Sequence, residues 1–359
     1  MADENMPILD NLDRYSVLDP TGFGERVAAL PEQCLSAWER GLEFGLPYSY
    51  RDVRNVVILG IGGSAIGGEL LADFVSAQQG LPVTVCRDYN LPSHLGTDSL
   101  VIASSYSGNT EETLEAFYSA LERKAKLVVV TTGGRLEQSA SKDGIPIFKI
   151  DYLGEPRTAL GYSLLIPLAI LQTLNLIPPI DLEVLEAVNV LTSIGNGLKP
   201  LIPIHSNMAK GLAALLFGKL IVVYGGGILS GVARRWKTQF NENAKAWAFV
   251  EILPEAGHNA IAVLERPHDM GGTIHGVLLG APNMDLRIRL RYEVIGELLG
   301  NAGVKYSMVN GVGSGALAQM LSVVLMGDYV SYYLALLNGR DPSPVPTLDY
   351  LKSRLQDLH

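Results

Sequence analysis

Cysteine is nearly absent from this sequence: Cys34 and Cys86 are the only two among 359 residues. Two isolated thiols make neither a disulfide framework nor a cysteine-based zinc site, so the expected compartment is a reducing one. Positive charge is also scarce, with 28 Lys and Arg against 37 Asp and Glu and a formal net charge of -9. Nucleic acid and anionic membranes both demand a basic face, which excludes them as main partners; a small anion in a locally positive pocket remains open. The most lipid-like stretch, "LLIPLAILQTLNLIPPI" (164–180), is broken by Pro167, Gln172, Asn175 and the Pro178-Pro179 pair, and reads as a buried helix ending at those prolines rather than a membrane span. The acidic opening "MADENMPILDNLDRYS" lacks the basic and apolar regions of a signal peptide, so the expected location is the cytoplasm.

What is there is a well-buried globular composition, 48% hydrophobic and 18% charged, in a chain long enough for two domains. From residue 55 onward apolar runs alternate with helix-like stretches: "NVVILG" (55–60), "LPVTVC" (81–86), "SLVIAS" (99–104), "KLVVVT" (126–131) and "IPIFKI" (145–150). Between them, Ala65 to Ala77 and Glu111 to Lys124 carry apolar residues at helical spacing. Strands separated by helices of this length predict βαβ units and a mostly parallel sheet, whose ligands gather at the carboxyl ends of the strands.

The pattern then restarts. "KLIVVYGGGILSGVARRWKTQF" (219–240) has the form of "NVVILGIGGSAIGGELLADFV" (55–75), an apolar strand, clustered glycines and a helix. Further strands are expected at 247–253, 270–280 and 305–311, and a helix over Met284 to Leu299. An internal duplication follows: two α/β domains of similar topology, the second lacking the serine that would match Ser64. The expected organisation is an N-terminal helical segment (1–45), a first domain (46–180), a helical connection (181–217), a second domain (218–337) and a C-terminal extension (338–359) in which a Pro-rich stretch leads to a short helix.

Two stretches of the first domain carry chemistry. "GIGGSAIGG" (60–68) follows a strand and opens a helix, where glycine lets backbone amides approach an anion and the helix dipole favours negative charge. It also fits a loose dinucleotide fingerprint, with Asp88 as the ribose-binding acid. "ASSYSGNTEET" (103–113) places Ser105, Ser107 and Thr110 at the end of the third strand, beside the first loop in any doubly wound ordering. Each hydroxyl alone is explained by helix capping, with Glu111 and Glu112 in the first turn. Together with Gly62, Gly63 and Ser64 they form a compact donor set suited to one phosphate monoester, which a dinucleotide would not need.

"SYSGNTEET" with "GIGGS" upstream resembles the sugar isomerase (SIS) domain, and "QFNENAKAW…VEILPEAGHNAI" (239–261) narrows the resemblance to the bifunctional phosphoglucose/phosphomannose isomerases of archaea and bacteria. It extends from roughly Asn55 to Leu355 and implies two tandem SIS-type domains, each a mostly parallel sheet flanked by helices. It further implies an isomerase that interconverts glucose 6-phosphate, and mannose 6-phosphate, with fructose 6-phosphate through a cis-enediolate, without a cofactor. Moving a proton between C1 and C2 needs a base, ring opening needs an acid/base, and the developing charge needs a cation. By the resemblance Glu242 is the base, His258 opens the ring and Arg157 lies by the enediolate; Gly62, Gly63, Ser64, Ser105, Ser107 and Thr110 bind phosphate. The ordinary alternatives are a solvated carboxylate for Glu242, a structural histidine for His258 and a salt bridge to Glu155 for Arg157.

The resemblance also implies a homodimer with a shared active site, the histidine coming from the neighbouring subunit. Family members place a lysine in the C-terminal helix near the sugar. "MGDYVSYYLALLNGRDP" (326–342) has none, and Tyr333 takes the aligned position, a poor acid at neutral pH. No metal is expected, since His268 and His275 flank a Gly-Gly pair without further ligands. The alternative from another class is a non-catalytic phosphosugar-binding SIS protein; regulators of that kind carry a basic DNA-binding segment, which the acidic first fifty residues do not offer.

Overall fold

The structure is a computed structural model that describes residues 8–78, 80–265 and 272–356. Helices α1 (Asp13–Leu18), α2 (Phe23–Ala28) and α3 (Leu30–Leu42) precede the first βαβ series. That series runs β1 (Asn55–Leu59), α4 (Gly62–Ala77), β2 (Val83–Cys86), β3 (Ser99–Ser105), α5 (Glu111–Glu122), β4 (Lys126–Thr131), α6 (Gly134–Lys142) and β5 (Ile147–Lys149). Helices α7 (Leu160–Thr173), α8 (Asp181–Asn196) and α9 (Met208–Leu216) lead to the second: β6 (Leu220–Gly226), α10 (Ser230–Glu242), β7 (Ala248–Leu253), β8 (Ile274–Gly280), α11 (Leu286–Asn301) and β9 (Lys305–Asn310). The chain closes with α12 (Ala316–Leu337) and α13 (Pro346–Gln356).

Both sheets are parallel throughout, in the orders β2-β1-β3-β4-β5 and β7-β6-β8-β9. Helices cover both faces of the first sheet, so β3 is buried at every position and β1 and β4 at all but the first, which is why these strands read as unbroken apolar runs. The edge strands β7 and β9 are more exposed.

Helix α7 packs on α3 and α4, and its lipid-like sequence is explained by burial from Leu160 through Leu171. It stops at Thr173 rather than at the prolines, because Asn175 turns the chain with φ +57°. Gly67 of α4 lies so close to Ser163 of α7 that any Cβ would collide with the serine side chain and backbone. Helix α12 packs on α2, α8, α9 and α10. It is long and apolar enough to cross a bilayer, yet 94% of that window is buried inside the protein.

The duplication extends to backbone angles. Gly62 after β1 and Gly227 after β6 have φ of +55° and +56°, and a side chain at either would point into open space. The copies differ at the helix that follows. In the second, the Gly231 amide near the start of α10 donates to Asp73 Oδ2 of α4 at 2.7 Å, so a carboxylate of the first half sits at a helix start of the second.

Candidate active site

Register puts the two donor loops side by side. β1 and β3 pair from Asn55↔Ser99 to Leu59↔Ala103, so both loops open at the same edge of the sheet. A Cβ on Gly60 would fall 2.9 Å from the Ser104 carbonyl, which is why the chain leaves β1 on glycine. Ser64 Oγ accepts from the Tyr106 amide at 3.2 Å and ties the loops together. Within the second loop Ser105 Oγ donates to Thr110 Oγ1 (3.1 Å) and accepts from the Gly108 amide (3.2 Å), while Ser107 Oγ accepts from Asn109 N (3.2 Å).

Thr110 occupies the N-cap position of α5 but its side chain makes no capping bond, and the start of α4 at Ile61 is likewise uncapped. Capping therefore does not explain these hydroxyls. The first amides of both helices have no side-chain acceptor at their N-caps. Ser105 is buried and Ser107 exposed, so the former shapes the loop and the latter stands at its mouth.

Arg157 joins this cradle to the second half. A Cβ on Gly63 would meet the Pro156 carbonyl carbon and the Arg157 amide at 2.8 Å, so the first loop rests directly on the Pro156–Thr158 turn. The buried guanidinium is held on two sides: Nε donates to Asn243 Oδ1 (2.6 Å), and Nη2 to the carbonyls of Pro342 (2.7 Å) and Ser343 (2.8 Å). Its Nη1 faces Glu242 Oε2 at 3.6 Å. Burial pulls Arg157 below the usual guanidinium range, against the opposing charges of Glu242 and Glu155. Glu155 itself is bound by Arg26 at 2.9 Å through both its oxygens, so it is not the partner of Arg157 that the sequence suggested as the ordinary alternative.

Five buried side chains missed in the sequence support this arrangement. Arg235 is forked onto Asp328 (Nε to Oδ1 3.1 Å, Nη2 to Oδ2 2.7 Å), and Gln239 donates to the same carboxylate at 3.0 Å. Asn243 Nδ2 donates to Ser331 Oγ at 3.0 Å, which fixes the amide that orients Arg157. The signal for Asn243 was present, since it neighbours Glu242 in "FNENAK".

His258 is not brought to Glu242 within one chain. α10 begins past the carboxyl end of β6 and ends at Glu242, from which the chain turns into the amino end of β7; His258 follows the other end of that strand, in the Glu255–His258 turn. Six residues of parallel strand put roughly 16 Å between those two ends. His258 is exposed there, at the second sheet's carboxyl edge.

Tyr333 is removed from the site altogether. It is fully buried, its hydroxyl donates to the Leu198 carbonyl, and its ring packs against Tyr329 and Tyr332 under the Lys210 ammonium. Burial pushes its phenol far above the ordinary value. The terminal helix is the short α13 expected after the Pro-rich stretch, and it carries a lysine of its own, Lys352. His275 bonds Ser307 Oγ at 2.9 Å, whereas His268 lies outside the described residues. The glycines Gly225 to Gly227 end β6 and begin a short turn.

Residues 205–355 match the family model of the bacterial phospho-glucose isomerase C-terminal SIS domain. The chain is 40% identical over 335 residues to a bifunctional phosphoglucose/phosphomannose isomerase of Caldicellulosiruptor bescii, covering 93% of this chain and 99% of the relative. It is 35% identical over 303 residues to the protein of the same name from Thermoplasma acidophilum, covering 84% and 89%. In fold it is similar to a hypothetical protein of Thermus thermophilus, with a TM-score of 0.73 at 19% identity, covering 98% of this chain and 94% of the other.

Proposed function

The chain belongs to the bifunctional phosphoglucose/phosphomannose isomerase family, and on that footing we propose that it interconverts glucose 6-phosphate and mannose 6-phosphate with fructose 6-phosphate. The observation that carries the reading is the 3.6 Å approach of Arg157 Nη1 to Glu242 Oε2, with the Arg157 backbone resting on the Gly63 loop. A phosphate held by Gly62, Gly63, Ser64, Ser107 and Thr110 points the sugar toward a carboxylate and a guanidinium side by side, and Ser105 holds the loop in shape.

Glu242 takes the proton from C2 of the aldose and returns it to C1, and the enediolate formed between those steps is stabilised by the fixed charge of Arg157. Because Nε and Nη2 are already bonded, the guanidinium is preorganised, with Nη1 left toward the reacting end. Both epimers converge on one enediolate, which is why one site serves glucose and mannose phosphates.

Ring opening falls to His258 of a neighbouring subunit, since the histidine of the same chain is a strand's length from Glu242. This makes the working unit a homodimer with a shared active site. Lys352 on α13 is the candidate for the family's C-terminal lysine, because it lies on the terminal helix and Tyr333 is buried elsewhere. Two free, buried cysteines fit a cytoplasmic location.

A coupled assay for fructose 6-phosphate from each hexose phosphate tests the reading, with Glu242→Gln beside wild type. Turnover of both sugars, lost in the variant, is expected. Phosphosugar binding without turnover by wild type would leave only a binding protein.

A further inference from the structure

Two cations close on the same short strap of chain. Arg157 holds the carbonyls of Pro342 and Ser343, and Lys245 Nζ donates to those of Asp341 (2.9 Å) and Pro342 (3.3 Å), and to Asn243 O (3.3 Å). The strap is folded for this contact: the Ser343 amide donates to Asp341 Oδ1 at 2.8 Å, and Asn338 Nδ2 donates to the Ala244 carbonyl at 2.8 Å. Lys245 itself has φ +53°. For a residue with a Cβ that conformation is unfavourable, and here it turns the chain between α10 and β7.

Beyond the strap lies α13, whose Leu348, Tyr350, Leu351 and Leu355 are exposed. A helix with its apolar side chains in solvent is placed by its tether rather than by a core.

We infer that Lys245 is a positioning residue: its ammonium holds the Asp341–Ser343 strap against Arg157, and so fixes both the guanidinium beside Glu242 and the direction in which α13 carries Lys352. The kinetic consequence rests on the isomerase reading; the clamp does not. Partial desolvation and the neighbouring Arg157 pull Lys245 down to about 8, assisted by Arg340 and opposed by Asp341 and Glu242, so the clamp loosens as pH rises through that value.

The test compares full-length wild type with Lys245→Met and Lys245→Arg, by hydrogen exchange over residues 338–356 and by steady-state kinetics. In Lys245→Met, exchange in that segment accelerates and kcat falls by about ten- to a hundred-fold, the scale of a misplaced catalytic group. Affinity for 6-phosphogluconate, which reports the phosphate cradle and intact folding, stays within about twofold. Lys245→Arg restores protection and most of kcat, and moves the alkaline limb of the kcat profile to higher pH. Unchanged exchange in Lys245→Met, or an arginine variant no better than methionine, overturns the inference. Inactive wild type would sink the isomerase reading, while the exchange comparison still decides the clamp.

Discussion

Arg235 Nη2 donates to the main-chain carbonyl of Arg157 at 3.0 Å, so one buried arginine fixes the backbone of another. The same guanidinium is paired with Asp328 of α12, and the backbone of Arg157 is thereby anchored to the central helix of the protein. Asp328→Asn strands the Arg235 charge in the interior. A loss of about 3–5 kcal/mol in chemical denaturation is expected, with activity falling at temperatures where the variant is still folded.

A shared site can be tested by mixing. Glu242→Gln and His258→Ala are each expected to be inactive as pure proteins. Dissociated and reassociated together, they form mixed dimers in which one of two sites has both residues intact, so activity returns to about a quarter of wild type. No recovery from dimers shown to have exchanged would place His258 outside the reaction.

The uncapped start of α5 separates two roles for Thr110. A threonine that caps a helix costs about 1 kcal/mol when cut to alanine, but this one makes no such bond. Thr110→Ala is therefore expected to lose no cap but only the bond from Ser105 Oγ, about 1 kcal/mol in denaturation, while weakening 6-phosphogluconate binding by about tenfold, the size of one hydrogen bond to a charged group. Ser107→Ala is expected to behave alike.

The joint between the halves carries a pH signature. Burial, with the nearby Glu69 adding to it, pushes Asp73 from 3.8 to about 6, against the Gly231 amide and Arg234. The folded chain thus holds this proton more tightly than the unfolded one, and stability contributed here is fullest below the unfolded value and declines as pH rises through about 6. The scale is about 2–3 kcal/mol. Asp73→Asn, which can still accept from Gly231, is expected to flatten the urea midpoint between those two pH values and to raise it at neutral pH.

The strands and both glycine turns were legible because they are local: a fully buried parallel strand reads as an apolar run, and a turn at φ near +55° calls for glycine. Ser107 and Thr110 could be singled out for the same reason. What the residues around Tyr333 did not disclose was direction. Ser331 faces Asn243, and two positions further round the helix Tyr333 faces Leu198, a difference that no motif spacing records. The partners of Glu155 and Arg235 lie far along the chain, and only the folded arrangement reveals that Arg26 takes the first and Asp328 the second. The separation of Glu242 from His258 needed the strand order, not the motif that contains both.

Duplication gave this chain two glycine turns with the same backbone angle, but the helices that follow them meet different things. In the proposed reading the first copy meets a substrate, whereas the second meets its sibling: Asp73 reaches the start of α10 and accepts from the Gly231 amide, where an anion would otherwise be drawn. A helix start of one half has become a joint with the other. Shortening Asp73 to alanine would return that helix start to the solvent and give a buffer anion a place to bind, a reversal of the step by which two like modules became one machine.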